Sequence, residues 1–159
     1  MSEIQPYGGI DVVSCYDVLV SDITEASFED VSNLLECPPR LSHIPYEFSF
    51  PNRGLFYGPY HRMFVPLVVR RKNISIQCIF LIDTGAPITF LRTDTMQELG
   101  FKEYIPRSCD VQIHGRQITV GLSTNHFKNV DLLGQDFFVK LEGKLIIDYN
   151  SRNVEISSF

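Results

Sequence analysis

From Ile74 onward, apolar residues occupy every second position: Ile74, Ile76, Cys78, Phe80 and Ile82. Strict alternation of this kind marks a strand with one face in a core. The intervening positions change character along the run, from Asn73, Ser75 and Gln77 to Ile79 and Leu81, and then to Asp83. The pattern predicts a strand that enters the protein as it proceeds, is buried on both faces near its end, and carries Asp83 inward at its tip. Phe64 to Val69 forms an earlier apolar run, and Arg71-Lys72-Asn73 reads as the turn between the two.

Beyond Asp83 the pattern stays strand-rich. Ile88, Phe90 and Leu91 predict a short strand, and Asp94-Thr95-Met96-Gln97 a brief helix that Gly100 closes. Val111-Gln112-Ile113 and Ile118-Thr119-Val120 flank His114-Gly115 as a β-hairpin with Gly at a positive-φ position. Val130 to Leu133 reads as a further strand and Asp136 to Leu141 as one or two helical turns. Leu145-Ile146-Ile147 and Val154-Glu155-Ile156 make a closing hairpin.

The first part of the chain reads differently. Val12, Val13, Val18, Leu19 and Val20 predict one or two short strands. Phe28, Val31, Leu34 and Leu35 repeat at helical spacing, with Thr24 or Ser27 as N-cap, and Pro38-Pro39 stops that helix. Pro45, Pro51 and Pro59 break up the segment after the helix. The organisation expected is an N-terminal extension over residues 1–58 (short strands, a helix near 25–36, a Pro-rich linker) and a second domain over 59–159. The extension is too short to bury a good core alone, so it docks on the second domain or on a partner.

Composition narrows the function classes. With 159 residues, 44% of them apolar, the chain fits one cored domain plus an appendage. A net charge of −5 argues against nucleic acid as a partner, because that would call for a basic stripe. Arg70-Arg71-Lys72 reads as a solvated turn. No segment has the apolar length of a signal peptide or membrane span, so an intracellular (cytoplasmic) protein without a membrane partner is expected. Cys15, Cys37, Cys78 and Cys109 are widely spaced, which fits reduced thiols. No His-Cys or His-Asp grouping has metal-ligand spacing, no Gly-x-Ser-x-Gly elbow is present, and neither metal nor cofactor is expected.

The candidate chemistry is Asp83-Thr84-Gly85-Ala86 at the end of the apolar run Cys78 to Ile82. A buried strand that delivers a carboxylate into a tight turn is what water activation by an aspartic peptidase needs. The motif occurs once, so a second carboxylate would have to come from another copy of the chain. Val130-Asp131-Leu132-Leu133-Gly134-Gln135-Asp136-Phe137 comes about fifty residues later, then Ile147-Asp148-Tyr149 and Val154-Glu155-Ile156. In this order, the three features resemble the retropepsin family, the retroviral-type aspartic peptidases and their cellular relatives. The resemblance covers about residues 64–156 and has no counterpart in the first ~55.

The resemblance implies an all-β fold, mainly β with one or two short helices, in which a closed β-barrel forms half of an acid protease. It implies a homodimeric endopeptidase acting on a polypeptide substrate, with Asp83 catalytic and sharing a proton with its twin. Thr84 would hydrogen-bond across the dimer axis, and Gly85 would let backbone approach the carboxylates closely. Ala86 has no hydroxyl to offer an ionised Asp, which implies a less acidic working range than a Ser-bearing relative would have. Leu133 and Gly134 resemble the strand and turn beneath the catalytic loop. Family members commonly carry Arg or Lys where this chain has Gln135, so the charged contact that helps hold the dimer is missing. A hairpin flap folds over the substrate in the family, and Ile113, His114 and Gly115 are the only candidate for it here. His114 at an exposed turn is the bland alternative. Asp136 and Asp148 read as ion-pairing or turn-capping residues.

Two other functions fit the same residues. One is a dimeric peptide-binding or scaffold module with little turnover, favoured by the short flap and Gln135. The other is a precursor whose first ~55 residues form a pro-segment, released by self-cleavage between Pro39 and Tyr60.

Overall fold

The computed structural model describes residues 20–158. The strands expected around Val12-Val13 and Val18-Leu19, together with Cys15, lie outside the described residues, and Val20 belongs to no strand. Helix α1 spans Glu25–Leu35. The Ser27 hydroxyl accepts the Thr24 backbone N–H at 3.0 Å, which fastens the first turn. The helix ends at Glu36, whose φ of 54° is left-handed, and Pro38-Pro39 cannot continue it.

Strands β1 (Asn52–Tyr57), β2 (Arg62–Arg71), β3 (Ile74–Ile82) and β4 (Phe90–Leu91) come before the short helix α2 (Thr93–Glu98). Strands β5 (Ser108–Ile113), β6 (Arg116–Leu122) and β7 (Asp131–Leu133) come next, then helix α3 (Gln135–Leu141) and strands β8 (Lys144–Asp148) and β9 (Asn153–Ser157). The order β3-β7-β4-β6-β5-β2, with β2 pairing back onto β3, closes a six-stranded barrel. From β2 the sheet continues outward through β1 and β9 to β8. The chain is thus mainly β with a closed barrel and few short helices, as expected. Among the described residues no helix is long and apolar enough to cross a membrane.

Alternation along β3 assigns its residues to two cores. Ile76, Cys78, Phe80 and Ile82 enter the barrel interior, with Val65, Leu67 and Val69 of β2. Ile79 and Leu81 face the other way, into a cluster with Phe64, Val130 and Leu132 that α1 covers with Phe28 and Val31. This accounts for the shift from polar to apolar in the second parity of β3: only its later residues lie under the helix. Burying Phe28 and Val31 contributes about 1.5–3 kcal/mol for each side chain.

The stretch between α1 and β2 is more ordered than its prolines foretell. Leu41 N–H donates to Gln77 C=O at 2.7 Å, Gln77 N–H to Ser42 C=O at 2.8 Å, and Ile44 N–H to Ser75 C=O at 3.1 Å. Residues 41–44 thereby cover the outer edge of β3 before β7 takes over at Phe80. Strand β1, between Pro51 and Pro59, pairs with both β2 and β9. A cut within β1 would therefore break into the sheet.

The expected hairpin at His114-Gly115 forms, with φ values of 44° and 86° in the turn. It is not an exposed turn, however. His114 is buried, packed against Phe48 and Phe50 with ring centroids 5.5 and 5.3 Å away.

Candidate active site

Asp83 leaves β3 one residue after Ile82, which lies beside Leu133 in the parallel pair β3–β7. Its N–H donates to Leu133 C=O at 2.9 Å, extending the ladder one step and fixing where the side chain begins. The chain then turns sharply, with Ala86 N–H donating to Asp83 C=O at 3.1 Å. Inside that turn Gly85 N–H donates to Asp83 Oδ1 at 2.9 Å. The carboxylate is half-buried, whereas Thr84, Gly85, Pro87 and Ile88 are exposed. A side chain at Gly85 would place its Cβ 3.2 Å from Asp83 Oδ1, so the glycine leaves room for the carboxylate.

Helix α3 clamps the far side of the turn. Gln135 N–H donates to Ala86 C=O at 2.8 Å and Asp136 N–H to Pro87 C=O at 3.2 Å. These are first-turn donors that no intrahelical carbonyl can satisfy. Gly134 is where the two segments touch most closely, since a Cβ there would lie 2.3 Å from Ile88 O. Thr89 finishes the clamp: Gly134 N–H donates to its hydroxyl at 3.0 Å, and that hydroxyl donates to Asp136 Oδ1 at 2.7 Å. Asp136 thus ties Thr89 to the first turn of α3, and Asp148 accepts Asn150 N–H and Ser151 N–H in the β8–β9 turn.

Asp83, Thr84, Gly85, Ala86, Leu133 and Gly134 thus form one contiguous unit. Ile113, His114 and Gly115 do not join it. Ile113 pairs with Val69 near the far end of β2, whereas the end beside Leu81 is Phe64. At ~3.3 Å per residue, roughly 17 Å of strand separates the two places. The turn is also fastened: Val68 N–H donates to His114 Nδ1 at 3.2 Å, and Gly115 N–H to the Tyr46 hydroxyl oxygen at 2.7 Å. Ile113, His114 and Gly115, expected as a flap, thus sit in a turn held on both sides and away from Asp83. Burial lowers the pKa of His114 to about 4, which keeps the ring neutral.

An ionic cluster buttresses the unit from behind. Asp131, wholly buried next to Leu132-Leu133, accepts Arg92 N–H at 2.8 Å and the Thr95 hydroxyl at 2.9 Å. Burial raises its pKa above the ordinary carboxylate value. The Arg92 guanidinium bonds Glu25 and Asp94 at 2.8 and 3.0 Å, and Arg40 bonds Asp94 at 2.7 Å. The Phe28 ring lies under both cations, 5.5 and 5.6 Å from the guanidinium carbons. α1 is thereby tied to the strand that supports the Asp83 turn. Sequence reasoning misses this cluster; its one signal is a carboxylate, Asp131, inside an otherwise apolar strand. Among the described residues no group of three His, Cys, Asp or Glu side chains converges as metal ligands.

No protein-family model matches the chain, and no curated protein matches it. Among solved structures it is similar to the crystal structure of a retropepsin-like aspartic protease from Rickettsia conorii. That likeness covers 71% of this chain and 96% of the other, at 16% sequence identity and a TM-score of 0.48.

Proposed function

We propose that the chain is an aspartic endopeptidase that works as a homodimer, hydrolysing peptide bonds with water activated between two Asp83 carboxylates. The observation that carries this reading is the setting of Asp83. It is half-buried at the end of a buried strand, one oxygen accepts the Gly85 N–H, and the adjoining residues Thr84 to Ile88 reach the surface. Among the described residues, no second carboxylate of the same chain is hydrogen-bonded to it. A facing copy would supply the mate, and the exposed turn is the surface that would meet it.

Two carboxylates brought to ~3 Å cannot both ionise cheaply, so the pair holds one proton. The ionised member takes a proton from the attacking water, and the protonated member donates to the scissile carbonyl oxygen. No covalent intermediate forms, and the apparent pKa values belong to the pair. Thr84, exposed beside Asp83, would bond across the axis. The clamp from Leu133, Gly134 and Thr89 to the turn holds each carboxylate in position, which is where positioning contributes to rate.

A dimeric peptide-binding module with little turnover is the second reading. It is favoured by the fastened hairpin at His114 and by Gln135, which cannot make an ion pair. Sedimentation together with peptide-library cleavage, on wild type and Asp83→Asn, separates the readings. Cleavage by a wild-type dimer that is abolished in Asp83→Asn supports the peptidase. Equal residual cleavage by both proteins removes it, and a dimer without cleavage promotes the binding module.

A further inference from the structure

Beside the Asp83 turn lies a cavity of about 780 Å³, within the size range of ligand sites. It starts at Ile88, five residues after Asp83 and 43% exposed, and runs along β4 and β6 to Thr124 and Asn125. Its floor is apolar. Phe90 of β4 lies beside Gly121 of β6 in a parallel register, and a Cβ at position 121 would sit 2.8 Å from the Phe90 ring. The glycine thus lets the ring lie flat against the strand, where a larger residue would push it into the cavity.

Among the described residues, the lining holds a single charged group, Arg107. Its main chain is fixed, because Leu122 N–H donates to Arg107 C=O at 2.8 Å. Its side chain is exposed and, among the described residues, makes no ion pair. Among the described residues, no carboxylate lines the cavity. The nearest along β5, Asp110, already accepts the Thr119 hydroxyl at 2.6 Å. What sets Arg107 apart is its place, a cation beside an apolar floor in a chain of net charge −5.

We infer that this cavity selects substrate: it receives an extended peptide segment in which an apolar side chain rests on Ile88 and Phe90 while a neighbouring Asp or Glu pairs with Arg107. The inference rests on the peptidase reading for the direction of the peptide toward Asp83, but the selection itself is a matter of binding. A carboxylate gains a charge-assisted hydrogen bond from the guanidinium, whereas an amide gains a neutral one and an ammonium is repelled. On the exposed rim of a cavity this is worth about tenfold in affinity between Glu and Gln.

The test uses full-length Asp83→Asn protein, so that nothing is cleaved, and fluorescence anisotropy with a peptide set. Each peptide carries Leu or Phe next to Glu, Gln or Lys. Glu peptides are expected to bind about tenfold more tightly than Gln peptides, and Lys peptides most weakly. In Asp83→Asn/Arg107→Glu the order should reverse toward Lys, with the preference for Leu or Phe over Ala unchanged and the circular dichroism spectrum intact. The same order in both proteins, or no binding by either, overturns the inference. Acid-selective binding combined with inactive wild type would leave the inference standing and sink the peptidase reading alone.

Discussion

Thr89 and Asp136 are joined by a hydrogen bond of 2.7 Å between hydroxyl and carboxylate, while the same hydroxyl accepts the Gly134 N–H at 3.0 Å. Asp136 also accepts the Thr89 backbone N–H at 3.1 Å. One side chain thus links the strand leaving the Asp83 turn to the start of α3. Thr89 is fully buried, so each lost partner stays unsatisfied.

Replacing Thr89 by Val keeps the shape and removes the hydroxyl. Stability should fall by about 2 kcal/mol, read from the shift in urea midpoint. Peptide cleavage should lose more in kcat than in KM, because the loss is one of positioning. Thr89→Ser should restore both, since it keeps the hydroxyl.

Gly134 and Gly85 should respond differently to the same methyl group. At Gly134 the methyl meets backbone, Ile88 O at 2.3 Å, and backbone cannot swing aside. Gly134→Ala should cost about 2–4 kcal/mol or prevent folding altogether. At Gly85 it meets only the Asp83 carboxylate, at 3.2 Å. Gly85→Ala should fold with a melting temperature near wild type and lose most of its cleavage. A normal Gly134→Ala melting temperature would show that α3 does not clamp the turn.

Asp131 holds a buried network together, although its own ionisation is opposed by burial. Asp131→Ala strands the Arg92 N–H and the Thr95 hydroxyl and removes a buried anion beside Arg40 and Arg92. A loss of about 3–5 kcal/mol is expected. Asp131→Asn keeps an oxygen for both donors and should lose less than half as much. Equal losses in chemical denaturation would mean that the charge, and not the hydrogen bonds, is what matters.

Buried neutral His114 gives the fold a pH dependence with a definite sign. Its folded pKa of about 4 lies below the unfolded value of 6.5, so between the two the unfolded chain binds more protons. Its contribution is present above pH 6.5 and is lost as the pH falls through that window toward 4. The change is on the order of 3 kcal/mol. Denaturation of Asp83→Asn between pH 7 and pH 4 should show this slope, and His114→Phe should flatten it. An unchanged slope in the variant would place the acid sensitivity elsewhere.

What is legible in the chain, and what is not, divides by the range of the interaction. Helix α1 is legible because its cap and its Phe28–Val31–Leu35 stripe are local. The strand carrying Asp83 is legible because its two parities record two different neighbours, the barrel interior and α1. The Asp83-Thr84-Gly85-Ala86 turn and the later Leu133-Gly134 are legible as chemistry, since both are short motifs. By contrast β1 reads as broken linker, because Pro51 and Pro59 bracket it and its second partner, β9, lies about a hundred residues away. His114 reads as a flap tip or an exposed turn because the rings that bury it, Phe48 and Phe50, come from a Pro-rich stretch with no periodicity. The brief helix after β4 is legible from Asp94-Thr95-Met96-Gln97, but its start is not. Arg92 stands at its N-cap, and Asp94 answers Arg40 and Arg92.

Strand β1 stands between β2 and β9, and β9 in turn is the inner neighbour of β8. The strand ladder of the last segment therefore joins that of the barrel through a strand encoded ahead of it. Trimming the gene to begin at Pro59 would leave the terminal hairpin held by its apolar side chains alone, with the rim of β9 bare and prone to zip onto other molecules.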